Sequence, residues 1–479
     1  MDRRRFLASL AASMLTLRYA KGQTPGSPIT LGFGIRQQAA VPLDFTGLSY
    51  ESAQLANPDF FSPRNRQLVA LFRELSPSGN LRLGGGSSEF TTFSADTRPT
   101  APPFEVFGPD TSKTVKTGTT TTALAIRNLR EFLDATGWSC LYGLNLGNGS
   151  AENAAREAAA VHRILGPRLL AFQIGNEPDS FRNRYRPATY GPSDFLAEWN
   201  HFHDAIVRTT PGARFAGPDI SNKLAYLTAF AEEATHHPDV ILLTSHYYAM
   251  GPAGSPRATL DNLLSVDPVS STLKNRDLHV IEDACRVARL PYRMSEGSSC
   301  WNGGQTGVSD VYASALWCAD YILKCMTRGW AGVNLHGGGD GIYTPIAGAP
   351  SRGFTRRPEY FGIRFAQRFA GAAVIETTIT NASDRVDVFA FERHGVQELV
   401  IVNKTAEDVS CALPAGLTAS RRSTLHAPAI DATSVDPRDG VQITESKSEF
   451  TSIAAAAPYT ANVYALRQSP RTSFTGRKR

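Results

Sequence analysis

Two glutamates end apolar runs in positions that suit acid–base and nucleophilic chemistry. Glu177 closes Phe172-Gln173-Ile174-Gly175-Asn176-Glu177-Pro178, a strand pattern that runs into a polar turn, with Pro178 stopping the strand. Glu296 closes Tyr292-Arg293-Met294-Ser295-Glu296-Gly297, a second short run ending in a carboxylate and small residues. Cleaving a glycosidic bond needs a proton donor for the leaving oxygen and a negative partner for an oxocarbenium-like centre; two carboxyl groups supply both. With the pair about 5–5.5 Å apart, the second carboxylate attacks directly and the anomeric configuration is retained. The acid must keep its proton near neutral pH, so burial and its partner's charge must raise its pKa. Asn176 stands where an amide can bind the hydroxyl beside the reacting carbon. The plainer reading, a surface glutamate after a strand, applies more to Glu296 than to the Asn-Glu-Pro triplet.

Something must bring residues so far apart in sequence to one place. Short apolar runs predict strands at Phe45–Tyr50, Asn80–Leu83, Ser139–Leu146, Leu170–Gly175, Arg214–Gly217, Val240–Ser245, Tyr292–Ser295 and Gly332–His336. Apolar spacings of three and four predict helices at Arg64–Leu75, Thr120–Thr136, Asn153–Leu165, Pro192–Thr209 and Val308–Thr327. This alternation is the pattern of an α/β chain folded as a (β/α)8 TIM barrel, assigned to residues 30–372. In such a barrel Glu177 and Glu296 end the fourth and seventh strands and face one mouth. From residue 373 to 467 the pattern becomes strands and turns, predicting a C-terminal all-β sandwich domain, with Ile29–Phe33 able to pair into it. That module either packs structurally on the barrel or binds carbohydrate independently.

Of 479 residues, 42% are hydrophobic and 19% charged, which excludes a disordered chain and a coiled coil. The 40 glycines and 29 prolines imply many turns, as in a loop-rich enzyme. The net charge of +5 sits largely at the two ends, so the nearly balanced middle argues against a nucleic-acid groove. There is no apolar run of the roughly 18 residues that a membrane span needs. Arg3-Arg4-Arg5-Phe6-Leu7 and the apolar Ala8–Leu17 read as a twin-arginine-like export signal over residues 1–23, predicting a periplasmic or secreted protein. Residues 468–479 read as a disordered basic tail. The six cysteines include no Cys-x-x-Cys pair, so they read as free apolar residues; no metal ligand cluster and no cofactor motif is visible.

Further segments extend the pattern. Gln173-Ile174-Gly175-Asn176-Glu177-Pro178-Asp179-Ser180-Phe181 resembles the acid/base strand of glycoside hydrolase family 79, which holds heparanase and the microbial β-glucuronidases. Thr46–Glu51 is similar to that family's first strand, Leu81–Phe90 to its second and Ser245–Tyr248 to its sixth. Glu296–Gly304 is similar to its nucleophile loop and Gly338–Tyr343 to its last strand and loop. The resemblance implies Glu177 as general acid/base, Glu296 as nucleophile and Tyr248 as donor to the nucleophile. It implies Asn176, Glu51 and the backbone at Gly86 and Ser87 as hydroxyl binders, with no metal and no cofactor. His246 either braces the nucleophile or is a buried core histidine; Glu51 has a surface reading too.

For a uronic acid, the resemblance implies that Tyr343 and the Gly303 amide hold the sugar carboxylate. Trp301 stands where a tyrosine is expected; its indole either donates a hydrogen bond or stacks on the sugar. Arg182, Arg184 and Arg186 either meet an acidic aglycone or form a solvated face. The implied function is a retaining exo-β-glucuronidase acting on a β-glucuronide or a glucuronic-acid-containing glycan. The alternatives are a heparanase-like endo-β-glucuronidase, a sibling acting on neutral β-glucosides, and a non-catalytic carbohydrate-binding protein.

Overall fold

The computed structural model describes residues 28–96, 118–265, 275–338 and 341–469, with backbone alone at 275 and 276. The expected export signal, the tail from residue 470 on and the pair Gly339-Asp340 lie outside the described residues.

In chain order the first strands are β1 (Ile29–Ala40), β2 (Thr46–Glu51), β3 (Asn80–Gly84), β4 (Thr91–Ser94), β5 (Thr119–Thr122) and β6 (Ser139–Leu144). They are followed by β7 (Leu169–Ile174), β8 (Phe215–Ile220), β9 (Val240–Tyr248), β10 (Tyr292–Ser298) and β11 (Gly332–Gly337). Eight of these close into a parallel barrel in the order β10-β11-β2-β3-β6-β7-β8-β9. Every residue of β2, β3, β8, β10 and β11 is buried, because side chains point either into the barrel or under the helical ring. β7 and β10 are the fourth and seventh barrel strands, which puts the two glutamates at one rim.

The surrounding helices begin where the sequence offers a cap. Asn65, Thr122 and Ser150 each accept a backbone N–H in the first turn of the helices Arg66–Leu75, Ala123–Thr136 and Ala151–Leu165. Two expected boundaries shift, the first of them for this reason. Thr120–Thr122 pair with β4 as strand β5 before the Thr122 cap, and Val308–Val311 precede the helix Tyr312–Thr327 as an ordered loop. The helices Leu224–Glu233, Asn275–Ala288 and Pro358–Gln367 are additional to those expected. Among the described residues no helix is long and apolar enough to cross a membrane.

The remaining strands are β12 (Ile346–Ala349), β13 (Gly353–Arg356), β14 (Ala373–Thr380), β15 (Val386–Arg393), β16 (Val396–Asn403) and β17 (Val409–Ala412). Last come β18 (Leu417–His426), β19 (Gln442–Glu445), β20 (Ile453–Ala456) and β21 (Thr460–Gln468). Gln468, assigned from sequence to the tail, thus ends a strand, and the Ser469 N–H donates to the Gly416 carbonyl at 2.7 Å. The β domain is one continuous nine-stranded sheet, β19-β18-β21-β16-β15-β14-β1-β17-β20. It is curled so that β20 approaches β18 and β21: Ala419 bridges to Thr451, and the Tyr464 hydroxyl donates to the Ala455 carbonyl. β1 runs antiparallel to β14 and parallel to β17, so the segment preceding the barrel completes the other domain.

Period-two alternation divides this sheet. Val386, Val388, Leu399 and Ile401 face the domain's own core, whereas Phe389, Phe391, Val400 and Val402 join the core shared with the barrel. Phe369 and Phe391 stack at 4.4 Å across that boundary. A buried charge cluster also crosses it. Lys404 Nζ donates to Asp320 at 2.5 Å and Asp387 at 2.9 Å, and Lys324 Nζ donates to the same carboxylates at 2.7 and 2.9 Å. All six cysteines are free.

Candidate active site

The mouth is built from strand ends. Arg82 on β3 is fully buried at its centre and uses every part of its guanidinium. Nη1 donates to Glu296 Oε2 at 2.5 Å and Ser49 Oγ at 3.2 Å. Nη2 donates to Asp219 Oδ2 at 2.5 Å and Asn176 Oδ1 at 2.7 Å, and Nε to Gln173 Oε1 at 3.1 Å. One cation therefore fixes groups from β2, β7, the end of β8 and β10. Because a guanidinium only donates, it turns the Asn176 amide oxygen inward and leaves the NH2 for a ligand.

Glu296 receives a second bond from the Tyr248 hydroxyl at 2.9 Å. Burial alone would raise its pKa, but His336, His246 and Arg82, with the Tyr248 bond, hold it down at about 2. Glu177 behaves oppositely. Burial raises its pKa; a bond with His246 and that ring's charge pull it back, while the Glu296 charge pushes it up, and the net direction is upward. A carboxylate oxygen of Glu177 and one of Glu296 lie within 4.8 Å of each other. One carboxyl whose pKa is pushed up thus faces one whose pKa is held down, a division that acid–base and nucleophilic chemistry can use.

Glu177 adopts φ 51°, ψ 52°, a left-handed conformation uncommon outside glycine. Its N–H donates to the Asp219 carbonyl at 2.9 Å, which holds this turn. His246 lies nearer Glu177 than Glu296: Nδ1 is 2.9 Å from Glu177 Oε1 and 3.8 Å from Glu296 Oε1. Its Nε2 is 3.3 Å from Asp219 Oδ1. Burial would lower its pKa, but Glu296 and Asp219 raise it to about 10, so the ring is an imidazolium at neutral pH.

The other sequence candidates fall into two groups. Glu51 is buried, and its Oε2 accepts from Ser87 N at 2.8 Å and Ser87 Oγ at 2.5 Å; a Cβ on the intervening Gly85, at φ 71°, would collide with that carboxylate. Glu51, Gly86 and Ser87 thus form one wall, and His336 Nε2 reaches Glu51 Oε1 at 3.7 Å. On the other side the Gly303 carbonyl accepts from Ile342 N at 2.6 Å and Tyr343 N at 3.3 Å. The Tyr343 ring lies 6.3 Å from the Tyr248 ring and 5.9 Å from that of His336. Trp301 lies at the rim with 43% of its surface exposed. Of the three arginines, Arg186 is bound to Glu198 at 2.6 Å and to the Gly147 and Leu146 carbonyls, Arg182 donates to the Tyr190 carbonyl, and Arg184 sits over the Tyr185 ring.

Arg82, Asp219, Glu89 and His336 were not singled out from sequence. The one available signal was an arginine between two leucines on a buried strand. Glu89 lies beneath the Asn176-Glu177 turn, where it accepts from Asn176 N at 2.5 Å and from the Gly147 N–H. Burial outweighs these bonds and raises its pKa to about 7. Burial likewise raises Glu157 to about 7. A carboxyl whose folded pKa exceeds its unfolded value binds its proton more tightly when folded. Its contribution is full below about pH 4.5 and is lost as pH rises through 7. Each such shift is worth roughly 3 kcal/mol. Thermal melts are expected to show stability falling between pH 5 and 8, with a shallower fall in Glu89→Gln; identical pH slopes in both proteins would refute this assignment.

The eight-stranded barrel with its appended sheet defines a fold shared with solved carbohydrate-active enzymes. A 4-O-α-L-rhamnosyl-β-D-glucuronidase from Fusarium oxysporum aligns with a TM-score of 0.70 at 16% identity, over 91% of this chain and 100% of that one. A family 51 arabinofuranosidase from Xanthomonas axonopodis pv. citri aligns with a TM-score of 0.65 at 15% identity, over 92% and 100%. In sequence the chain is 25% identical over 322 residues to a β-glucuronidase of Neurospora crassa, covering 60% of this chain and 56% of that protein. It is 23% identical over 354 residues to a β-glucuronidase of Aspergillus niger, covering 66% and 63%. The chain thus spans about three-fifths of the length of these relatives. No family model matches it.

Proposed function

We propose that the chain is a glycoside hydrolase, a retaining β-glucuronidase of family 79, with Glu177 as acid/base and Glu296 as nucleophile. The observation that carries this reading is the approach of the two carboxylates to within 4.8 Å with pKa values pushed in opposite directions. Glu177 protonates the leaving oxygen while Glu296 Oε1 or Oε2 attacks the anomeric carbon and the aglycone departs. Once Glu296 is esterified its negative charge is gone. Burial still raises the Glu177 pKa, but the further push from the Glu296 charge disappears, and Glu177 becomes the base that takes a proton from the incoming water as its oxygen bonds to the anomeric carbon and the Glu296 carboxylate departs. The Asn176 NH2, left free by Arg82, binds the neighbouring hydroxyl. The names of the two sequence relatives and the packing of Gly303 against Tyr343 beside the nucleophile support a uronic acid in the pocket.

The test is hydrolysis of matched aryl β-D-glucuronide and aryl β-D-glucoside. Turnover of the glucuronide at least about tenfold faster, a difference of about 1.4 kcal/mol in transition-state binding, is expected. Preference for the glucoside would sink the uronate reading and point to Trp301 as the altered determinant. Inactivity on both substrates by well-folded protein would refute the exo-hydrolase reading.

A further inference from the structure

We propose that His203, His237 and Asp239 form a binding site for a divalent transition metal, zinc by ligand type, at the end of the barrel opposite the candidate active site. His203 lies in the second half of the helix Pro192–Thr209, and Asp239 directly precedes β9. Both belong to the face where strands begin, whereas Glu177 and Glu296 belong to the face where they end. One nitrogen from each histidine and one Asp239 oxygen lie within 4.8 Å of one another. His203 Nε2 and Asp239 Oδ2 are 2.9 Å apart. Zinc–nitrogen and zinc–oxygen bonds of about 2.0–2.1 Å place tetrahedral neighbours about 3.3 Å apart, so only small side-chain movements separate this arrangement from a coordination sphere.

The surroundings match what metal-binding histidines require. A carboxylate stands behind each ring: Asp204 Oδ1 is 3.4 Å from His203 Nδ1, and Glu233 Oε1 is 3.2 Å from His237 Nε2. Glu233 is itself held by Asn200 Nδ2 at 2.9 Å, and Trp199 stacks on His203 at 4.9 Å, fixing the ring plane. A second observation is independent of this spacing. Asp239 Oδ1 and Asn200 Oδ1 are buried and have no hydrogen-bond partner among the described residues. Buried carboxylate oxygens rarely go unsatisfied, and a cation bound to Asp239 removes that deficit. On binding, the His203 proton resides on Nδ1 towards Asp204 and the metal takes the place of the Nε2 proton. Two imidazoles and one carboxylate select zinc over magnesium or calcium, and water completes the fourth position. The metal ties the helix to the segment entering β9 and acts on stability.

The experiment uses the full chain after chelator treatment, titrated with zinc chloride by calorimetry and with cobalt(II) chloride by visible absorption. One equivalent is expected to bind, and the melting temperature to rise with zinc concentration. Both effects should vanish in His237→Gln, whereas Glu233→Gln should weaken zinc about tenfold by removing the carboxylate behind the ring. Asp239→Asn serves as an independent ligand variant. Absence of stoichiometric zinc in folded wild-type protein, or wild-type binding in both His237→Gln and Asp239→Asn, overturns the proposal and leaves a hydrogen-bonded cluster.

Discussion

The Glu296→Gln variant is expected to lose about 10⁵-fold or more in kcat on an aryl β-D-glucuronide while remaining folded. The fold should survive because glutamine preserves the shape of the site. Its amide oxygen can accept from Arg82 and its NH2 can face the Tyr248 oxygen, in place of the two bonds Glu296 now receives. The rate falls because no carboxylate remains to form the glycosyl ester. Glu177→Gln should cost less, about 10²–10⁴-fold, since it removes proton transfer and leaves the nucleophile intact. The two variants also differ in pH dependence. The basic limb of kcat/KM in the wild type reports loss of the Glu177 proton, and Glu177→Gln should abolish that limb. Steady-state kinetics from pH 4 to 9 on both variants check this. Comparable activity in Glu296→Gln and wild type would remove Glu296 from the chemistry; a basic limb surviving in Glu177→Gln would show that Glu177 is not its source.

Arg82→Met should produce the largest stability loss in the barrel. The arginine is fully buried, and its removal takes away one of the two cations, Arg82 and the His246 ring, that face both the Asp219 and Glu296 carboxylates. Breaking a buried pair from one side costs about 3–5 kcal/mol, because the remaining charge stays desolvated. The second expected effect is electrostatic. Arg82 is one of the groups that hold Glu296 at about 2, so its loss should raise that pKa and move the acid limb of activity upward. Arg82→Lys keeps the charge but not the planar fork, and should fall between wild type and methionine. Denaturation midpoints and pH–rate profiles are the readouts; a methionine variant with wild-type stability and an unshifted acid limb would contradict this account of Arg82.

The two carboxylates and the barrel were legible for related reasons. Parallel strands covered on both faces leave near-continuous apolar runs, and a polar residue closing such a run stands out. Glu177 and Glu296 were visible as such closures, and their strands are the fourth and seventh of the barrel. Helix starts shifted where a capping residue inside the periodic stretch determined the boundary, as at Thr122. The helix Leu224–Glu233 escaped because it is largely apolar and its periodic signal is weak.

What the sequence by itself determined is therefore the barrel, the all-β addition and the residue types that end two of its strands, since these follow from local periodicity and turn chemistry. Tertiary structure alone decided the rest. Arg82 sits between two leucines and gives no local sign that it meets Glu296, 214 positions away. Asp219 meets His246 and Arg82 only because β8 stands between β7 and β9 in the closed barrel. The opposed pKa directions of Glu177 and Glu296 likewise depend on burial and on charges delivered by other strands. His203, His237 and Asp239 have no motif spacing, yet they converge where a helix end meets the start of a strand. Coulombic and desolvation energies depend on distance and solvent exclusion through space, and barrel closure fixes both.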